Sequence, residues 1–211
     1  MSAGRQGQID DWNQVYRDPK RPPWDIGRPQ PVFVKLVHDR ELIPPGRALD
    51  VGCGTGENTI LLAQNKFRTF GIDYSSEAIA QAKKKAKDRS VLVDFQVGNA
   101  LHLDFSADSF NYAIDSGLFH VFDNSQRIVF RDQIAHVLKP EGIYFMLCFS
   151  DKEPADWGGP RRVSKQEIET VLSPKFHINY IRDELFATKF HENGGKAYLT
   201  SATRLATGKR G

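Results

Sequence analysis

GRALDVGCGTG, residues 46–56, joins a short apolar run (Ala48, Leu49, Val51) to glycines at alternate positions, Gly52, Gly54 and Gly56. A helical pattern begins directly afterwards, so the stretch reads as strand, turn and helix in immediate succession. Such a turn lets the backbone approach a bound nucleoside at a distance that a Cβ would block. The spacing is GxGxG rather than the GxGxxG of dinucleotide binders, and an acid, Asp50, stands two residues before the first glycine.

Outward from this turn, strands and helices alternate. Glu57–Gln64 reads as a helix starting near Thr55 or Gly56. Phe67–Ile72 reads as a second strand ending on Asp73. Ser75 or Ser76 then caps a helix over Glu77–Asp88, whose Ala78, Ile79 and Ala82 form an apolar stripe. Val91–Val97 is a third strand. Phe110–Ile114 is a fourth, closed by Asp115. Apolar residues at helical spacing run from Gln126 to Leu138 and stop at a helix-ending turn, Lys139-Pro140-Glu141-Gly142. Ile143–Phe149 is a fifth strand, apolar on both faces. The C-terminal third holds a short helix, about Ser164–Leu172, then two strand-like segments, about Lys175–Arg182 and Lys196–Leu205. Their linker, Lys189–Gly195, suits a hairpin. The alternation predicts an α/β fold: a doubly wound, Rossmann-like sheet, mostly parallel, finished by an antiparallel hairpin.

At 211 residues the chain has the length of one such domain. Its expected parts are an N-terminal lid with helices (1–40), a ligand-binding core (46–150) and a substrate-side C-terminal part (151–211). Hydrophobic residues at 40% and charged residues at 26% describe an ordinary soluble protein, and a net charge of +3 does not argue for nucleic acid. Lys83-Lys84-Lys85 reads as the solvated face of a helix. No stretch approaches the ~20 apolar residues of a membrane span, and the polar N-terminus lacks a signal-peptide core. Two distant cysteines fit a reducing cytoplasmic setting rather than a disulfide framework. Cys53 reads as a small turn residue, not a nucleophile. No metal site is expected, and a monomer or homodimer fits the composition. Trp12, Tyr16 and Trp24 precede the first strand among prolines. They are expected to form no regular element, yet are costly to leave in water, so they should pack as a lid over the strand ends.

The turn with Asp50 resembles motif I of the class I S-adenosylmethionine-dependent methyltransferases. Gly71-Ile72-Asp73-Tyr74-Ser75 resembles their motif II. The resemblance implies S-adenosylmethionine as cofactor, with Asp50, Gly52, Cys53, Gly54 and Gly56 around it. Asp73 would accept hydrogen bonds from both ribose hydroxyls, and Tyr74 would lie against the adenine or, equally, beside the helix cap. Gly98-Asn99-Ala100 corresponds to the family's adenine-recognition turn, with Asn99 where many members have an acid. Asp115-Ser116-Gly117 would lie at the methyl-donor end. The run Trp24-Asp25-Ile26-Gly27-Arg28-Pro29-Gln30-Pro31 looks like the N-terminal signature of the thiol, halide and thiopurine methyltransferases, which carries Trp24 over as a cofactor neighbour. Asp115–His120 and Leu147–Asp151 look like related bacterial small-molecule methyltransferases, including ones acting on quinone or phenolic compounds.

Methyl transfer from a sulfonium is an in-line displacement that needs alignment and exclusion of water more than acid–base chemistry. Ionisable candidates near the strand ends are Asp115, His120, Arg161 and Arg162. His120 is read either as a base for a hydroxyl, thiol or amine, or as a structural histidine bonded to backbone. Arg161 and Arg162 hold an anionic substrate, or close the lid, or form a solvated pair. The Asn/Asp-Pro-Pro-aromatic sequence of amino-methylating DNA enzymes is absent after the fourth strand. The expected function is methyl transfer to a small-molecule nucleophile: thiol, halide, phenol or quinol-like. The competing readings are a non-catalytic cofactor-binding module and a nicotinamide-dependent oxidoreductase, against which the glycine spacing argues.

Overall fold

The computed structural model describes residues 11–156 and 158–206. The chain ends that fall inside the expected lid and C-terminal part, 1–10 and 207–211, lie outside the described residues. The elements in chain order are helical residues 11–17 (α1), α2 Pro31–His38, β1 Arg47–Val51, α3 Glu57–Gln64, β2 Arg68–Asp73, α4 Ser76–Asp88, β3 Asp94–Val97, β4 Phe110–Ser116, α5 Asn124–Val137, β5 Leu138–Phe149, α6 Lys165–Leu172, β6 Phe176–Phe186 and β7 Gly195–Arg204. The strands form one sheet in the order β3-β2-β1-β4-β5-β7-β6. The first five are parallel, and β7 runs antiparallel between β5 and β6. The expected doubly wound sheet with a terminal antiparallel hairpin is therefore what forms.

Both faces of the sheet are covered because successive side chains alternate. Leu49, Ala113 and Met146 point to the face packed by α5 and α6, with Phe130, Ile134, Ile168 and Leu172. Their neighbours Ala48, Ile114, Phe145 and Leu147 point to the other face, against Phe33 and Leu36 of α2 and Leu62 of α3. A smaller cluster holds α3, α4 and β3 together through Ile60, Ile79, Ala82 and Phe95. Strand order reverses between β1 and β4, the position at which open α/β sheets leave a crevice at the carboxyl ends. There Asp50 pairs with Gly71 of β2 on one side and Ile114 of β4 on the other.

Local signals place most helix starts. Ser75 caps α4 by accepting from the Ala78 N–H. Asp123 with Gln126, and Ser164 with Glu167, form capping boxes for α5 and α6. Several expectations need correction. Lys139–Gly142 is not a free turn: β5 begins at Leu138, directly after α5. The extra length is absorbed by a register shift opposite Phe110/Tyr112 and by Glu141 at φ 64°. The third strand is shorter than expected, since Val91–Val93 precede the edge strand and Leu92 is 96% exposed. Trp12 and Tyr16 lie on a helix, not in an irregular segment, because the prolines begin only after it. Lys85 is not on the solvated face. Its ammonium donates to Thr55 Oγ1 at 2.6 Å and pairs with buried Glu57 at 2.8 Å, tying α4 to the glycine turn. Both cysteines are free thiols.

Candidate active site

Gly52, Gly54 and Gly56 have φ of +71°, +53° and +83°, a run of left-handed backbone that only glycine adopts without strain. Gly56 caps α3, and a Cβ there would stand 2.7 Å from Phe95 and 2.9 Å from Ala82. At Gly52 a Cβ would meet Leu118 at 3.0 Å, and at Gly54 the Tyr16 hydroxyl at 3.0 Å. The missing side chains thus make room for the protein's own neighbours on these faces. Cys53 donates its backbone N–H to Ile72 O at 2.8 Å, locking the turn to β2.

Two acids flank the turn. Asp50 is 1% exposed; its Oδ2 accepts from Thr59 Oγ1 at 2.6 Å, while Oδ1 is buried without a hydrogen-bond partner. Burial, augmented by the Asp115 and Asp73 charges, pushes this carboxyl up to about 7. Asp73 accepts from the Gly54 N–H through Oδ2 and from the Ser75 N–H through Oδ1, both at 2.8 Å. Burial raises its carboxyl as well, against those hydrogen bonds. The Tyr74 backbone N–H bonds this carboxylate too, and a carboxylate's two oxygens offer about four acceptor sites in all. Tyr74 is half-buried beside it. At the end of β3, Asn99 turns its side-chain oxygen onto the Leu101 N–H at 2.9 Å, and Ala100 packs on the core.

Asp115 has no accessible surface. Its Oδ1 accepts from Leu118 N at 2.8 Å and Phe119 N at 3.3 Å, and its Oδ2 from Tyr144 OH at 2.5 Å. Burial lifts it to about 6. These bonds brace the short 3-10 turn Phe119–Val121.

The N-terminal segment covers the turn, and the sequence signal for most of its contacts was absent. Tyr16 sits over Gly54 and accepts from Trp24 Nε1 at 3.2 Å; Trp12 meets Trp24 edge-on at 6.0 Å. Asn13 Oδ1 accepts from Ser75 Oγ at 2.8 Å and from Glu77 N at 3.3 Å, at the start of α4. Asp25 accepts from Thr55 Oγ1 at 3.2 Å. On the far side, Gln30 and Ala187 exchange hydrogen bonds of 2.9 and 3.0 Å, and Lys189 N donates to Pro23 O at 2.9 Å. The segment is therefore fastened both to the cofactor-side helix and to the β6–β7 loop.

His120 is 5% exposed and stacked on Phe149 at 5.2 Å and 12°. Its Nδ1 accepts from the Phe149 N–H at 3.1 Å, which puts the ring proton on Nε2. Burial, helped by the Arg127 and Arg162 charges, holds the imidazole down at about 3, so it is neutral at ordinary pH. The ring is thus bonded to backbone among aromatic neighbours. The two arginines part company. Arg162 lies over the Phe149 ring at 5.8 Å and donates to Pro154 O at 2.6 Å. Arg161 turns to the surface, to Asn124 Oδ1 at 2.6 Å and to Glu167, away from the crevice. Sequence reading missed Arg127, buried at 1% beneath the 3-10 turn, with its guanidinium over Phe119 at 4.7 Å and Nε donating to Phe119 O at 3.1 Å. Among the described residues no cluster suits a metal ion, and no helix is long and apolar enough to cross a membrane.

A family model described as a methyltransferase domain matches residues 48–142, the span from β1 into β5. The 2-heptyl-1-hydroxyquinolin-4(1H)-one methyltransferase of Mycobacteroides abscessus is 31% identical over 188 residues, covering 88% of this chain and 80% of that protein. A probable thiol methyltransferase of Arabidopsis thaliana is 35% identical over 156 residues, covering 72% of this chain and 67% of that protein. A structure solved in work on the conversion of a disulfide bond into a thioacetal group during echinomycin biosynthesis superposes with a TM-score of 0.84. It is 29% identical and covers 93% of each chain. The chain belongs to the class I S-adenosylmethionine-dependent methyltransferases. Its cofactor is S-adenosylmethionine, and the nicotinamide alternative is set aside.

Proposed function

We propose that this enzyme methylates a small-molecule nucleophile of the thiol, halide, phenol or quinol type. The buried, unpartnered Oδ1 of Asp50 is the observation that carries the assignment of the cofactor site. A carboxylate oxygen desolvated without a partner is costly, and a ligand ammonium is the donor it lacks. In this reading Asp50 holds the cofactor's ammonium and Asp73 its ribose hydroxyls, with Tyr74, Asn99 and Ala100 around the adenine. Gly52, Cys53, Gly54 and Gly56 form the floor, and Tyr16 and Trp24 the cover. The cofactor supplies an activated methyl group on a sulfonium. The protein's share is to orient the acceptor toward it and keep water out through the lid and the Phe149–Phe186 stack, whose rings lie 5.0 Å apart. Arg162 lies at the acceptor side, while Asp115 acts through the turn it braces. The small acceptors named for the quinolone and thiol relatives support the substrate class.

Transfer of a labelled methyl group should be screened across thiols, iodide, phenols and quinols. Product from at least one class is the expected result. Silence across the panel, with S-adenosylhomocysteine still bound, would favour a non-catalytic cofactor-binding module.

A further inference from the structure

Resting on that site reading, we infer that His120 is a hydrogen-bond donor that positions an acceptor already ionised in solution, and that the enzyme removes no proton from it.

Nδ1 is occupied by the Phe149 N–H at 3.1 Å, and the parallel stack on Phe149 holds the ring in that orientation. Nε2 is therefore the donor end, and it stands 3.4 Å from the place of a Cβ on Gly117 at the carboxyl end of β4. The adjacent Leu118 stands where a Cβ on Gly52 would lie, at 3.0 Å, so the turn carrying His120 packs against the glycine turn.

Among the described residues, the carboxylates and the thiol nearest His120 are already engaged or enclosed. Asp115 is enclosed by Tyr144 OH and two backbone amides. The Cys148 thiol is buried and pushed far up by desolvation. Glu153 accepts from Lys196 N at 2.5 Å and pairs with His191 at 3.1 Å. Two guanidiniums act on His120 instead: Arg162 lies over Phe149, and Arg127, buried beneath the turn, lies over Phe119. A neutral N–H donor within reach of two positive charges, in a largely apolar enclosure, favours an anion with a diffuse charge, such as an aryl thiolate.

The step then balances without a base. A lone pair of the anionic acceptor forms the new bond to the methyl carbon. The carbon–sulfur bond of the sulfonium breaks, and its electron pair returns to sulfur. Opposite charges become two neutral products, a change that a water-poor site assists.

The test compares para-nitrothiophenol with the less acidic para-methylthiophenol, following kcat/KM against pH for the wild type, His120→Gln and His120→Ala. Gln offers an acceptor and a donor from one amide but no titrating group. The expected result is an inflection that moves with the acidity of the thiol and stays in place in both variants. His120→Ala should lose about tenfold to a hundredfold, the effect of one hydrogen bond to a charged group, and His120→Gln should recover most of it. Binding of each thiol to the S-adenosylhomocysteine complex, by calorimetry, should strengthen through the same pH range. An inflection shared by both thiols and abolished in His120→Gln would overturn the proposal, as would inert thiols alongside a methylated neutral amine. Failure of the wild type to bind S-adenosylhomocysteine would instead remove the site reading, and this proposal with it.

Discussion

The hydroxyl of Tyr16 stands 3.0 Å from the point that a Cβ on Gly54 would occupy, while the ring carbon bearing it is at 3.7 Å. An N-terminal helix is thereby seated directly on the glycine turn. Gly54→Ala should weaken S-adenosylhomocysteine binding and destabilise the fold by about 1–2 kcal/mol, from the left-handed backbone and the collision together. Adding Tyr16→Phe, which removes only the oxygen, should recover part of that loss in a double-mutant cycle read by calorimetry. Strict additivity would show that the two residues do not meet.

Gly56 is a different case, because its obstacle is the core. Phe95 and Ala82 leave no room for a methyl group, and φ is +83°. Gly56→Ala should cost about 3 kcal/mol in urea unfolding. A loss below about 1 kcal/mol would mean that α3 re-forms its start another way.

Asp50 makes the ligand-free protein sensitive to pH. Its carboxyl rises from 3.8 to about 7 on folding, so the folded state binds the proton more tightly than the unfolded chain. That contribution is fully present below about pH 4 and is lost as pH rises toward 7. Asp115, lifted to about 6, acts in the same direction. Melting temperature should therefore fall between these limits, and Asp50→Asn should flatten part of the fall. Because an ammonium prefers the ionised carboxylate, S-adenosylhomocysteine should bind more tightly as pH passes 7 in the wild type and not in Asp50→Asn. Identical pH profiles for the two proteins would remove Asp50 from the ammonium.

Trp24 tests the cover. It is 40% exposed, yet its indole N–H bonds to Tyr16 and its edge meets Trp12. Trp24→Ala should raise the dissociation constant of S-adenosylhomocysteine by roughly fivefold to tenfold, the loss of about one hydrogen bond. An unchanged constant would place Trp24 outside the site.

Much of this arrangement was legible in the sequence, for reasons that are local. Alternation of apolar residues, Asp50 and Asp73 at strand ends, and Ser75 as a cap all depend on neighbours a few residues away. The quality of the N-terminal cover was not legible, since Asn13 meets Ser75 and Gln30 meets Ala187 across long stretches of chain. The tautomer of His120 depends on an amide in β5, and the opposite fates of Arg161 and Arg162 depend on where Phe149 and Glu167 stand. Arg127 carries no sequence mark at all: its helical position is apolar in outlook only once Phe119 folds over it.

The central claim is that Asp50 and Asp73, on either side of the glycine turn, hold the cofactor. Calorimetric titration of S-adenosylhomocysteine into the wild type and Asp73→Ala tests it most directly. Saturable binding to the wild type is expected, weakened in the variant by about 1.5–3 kcal/mol for each charged hydrogen bond lost. Equal affinities for the two proteins would contradict it.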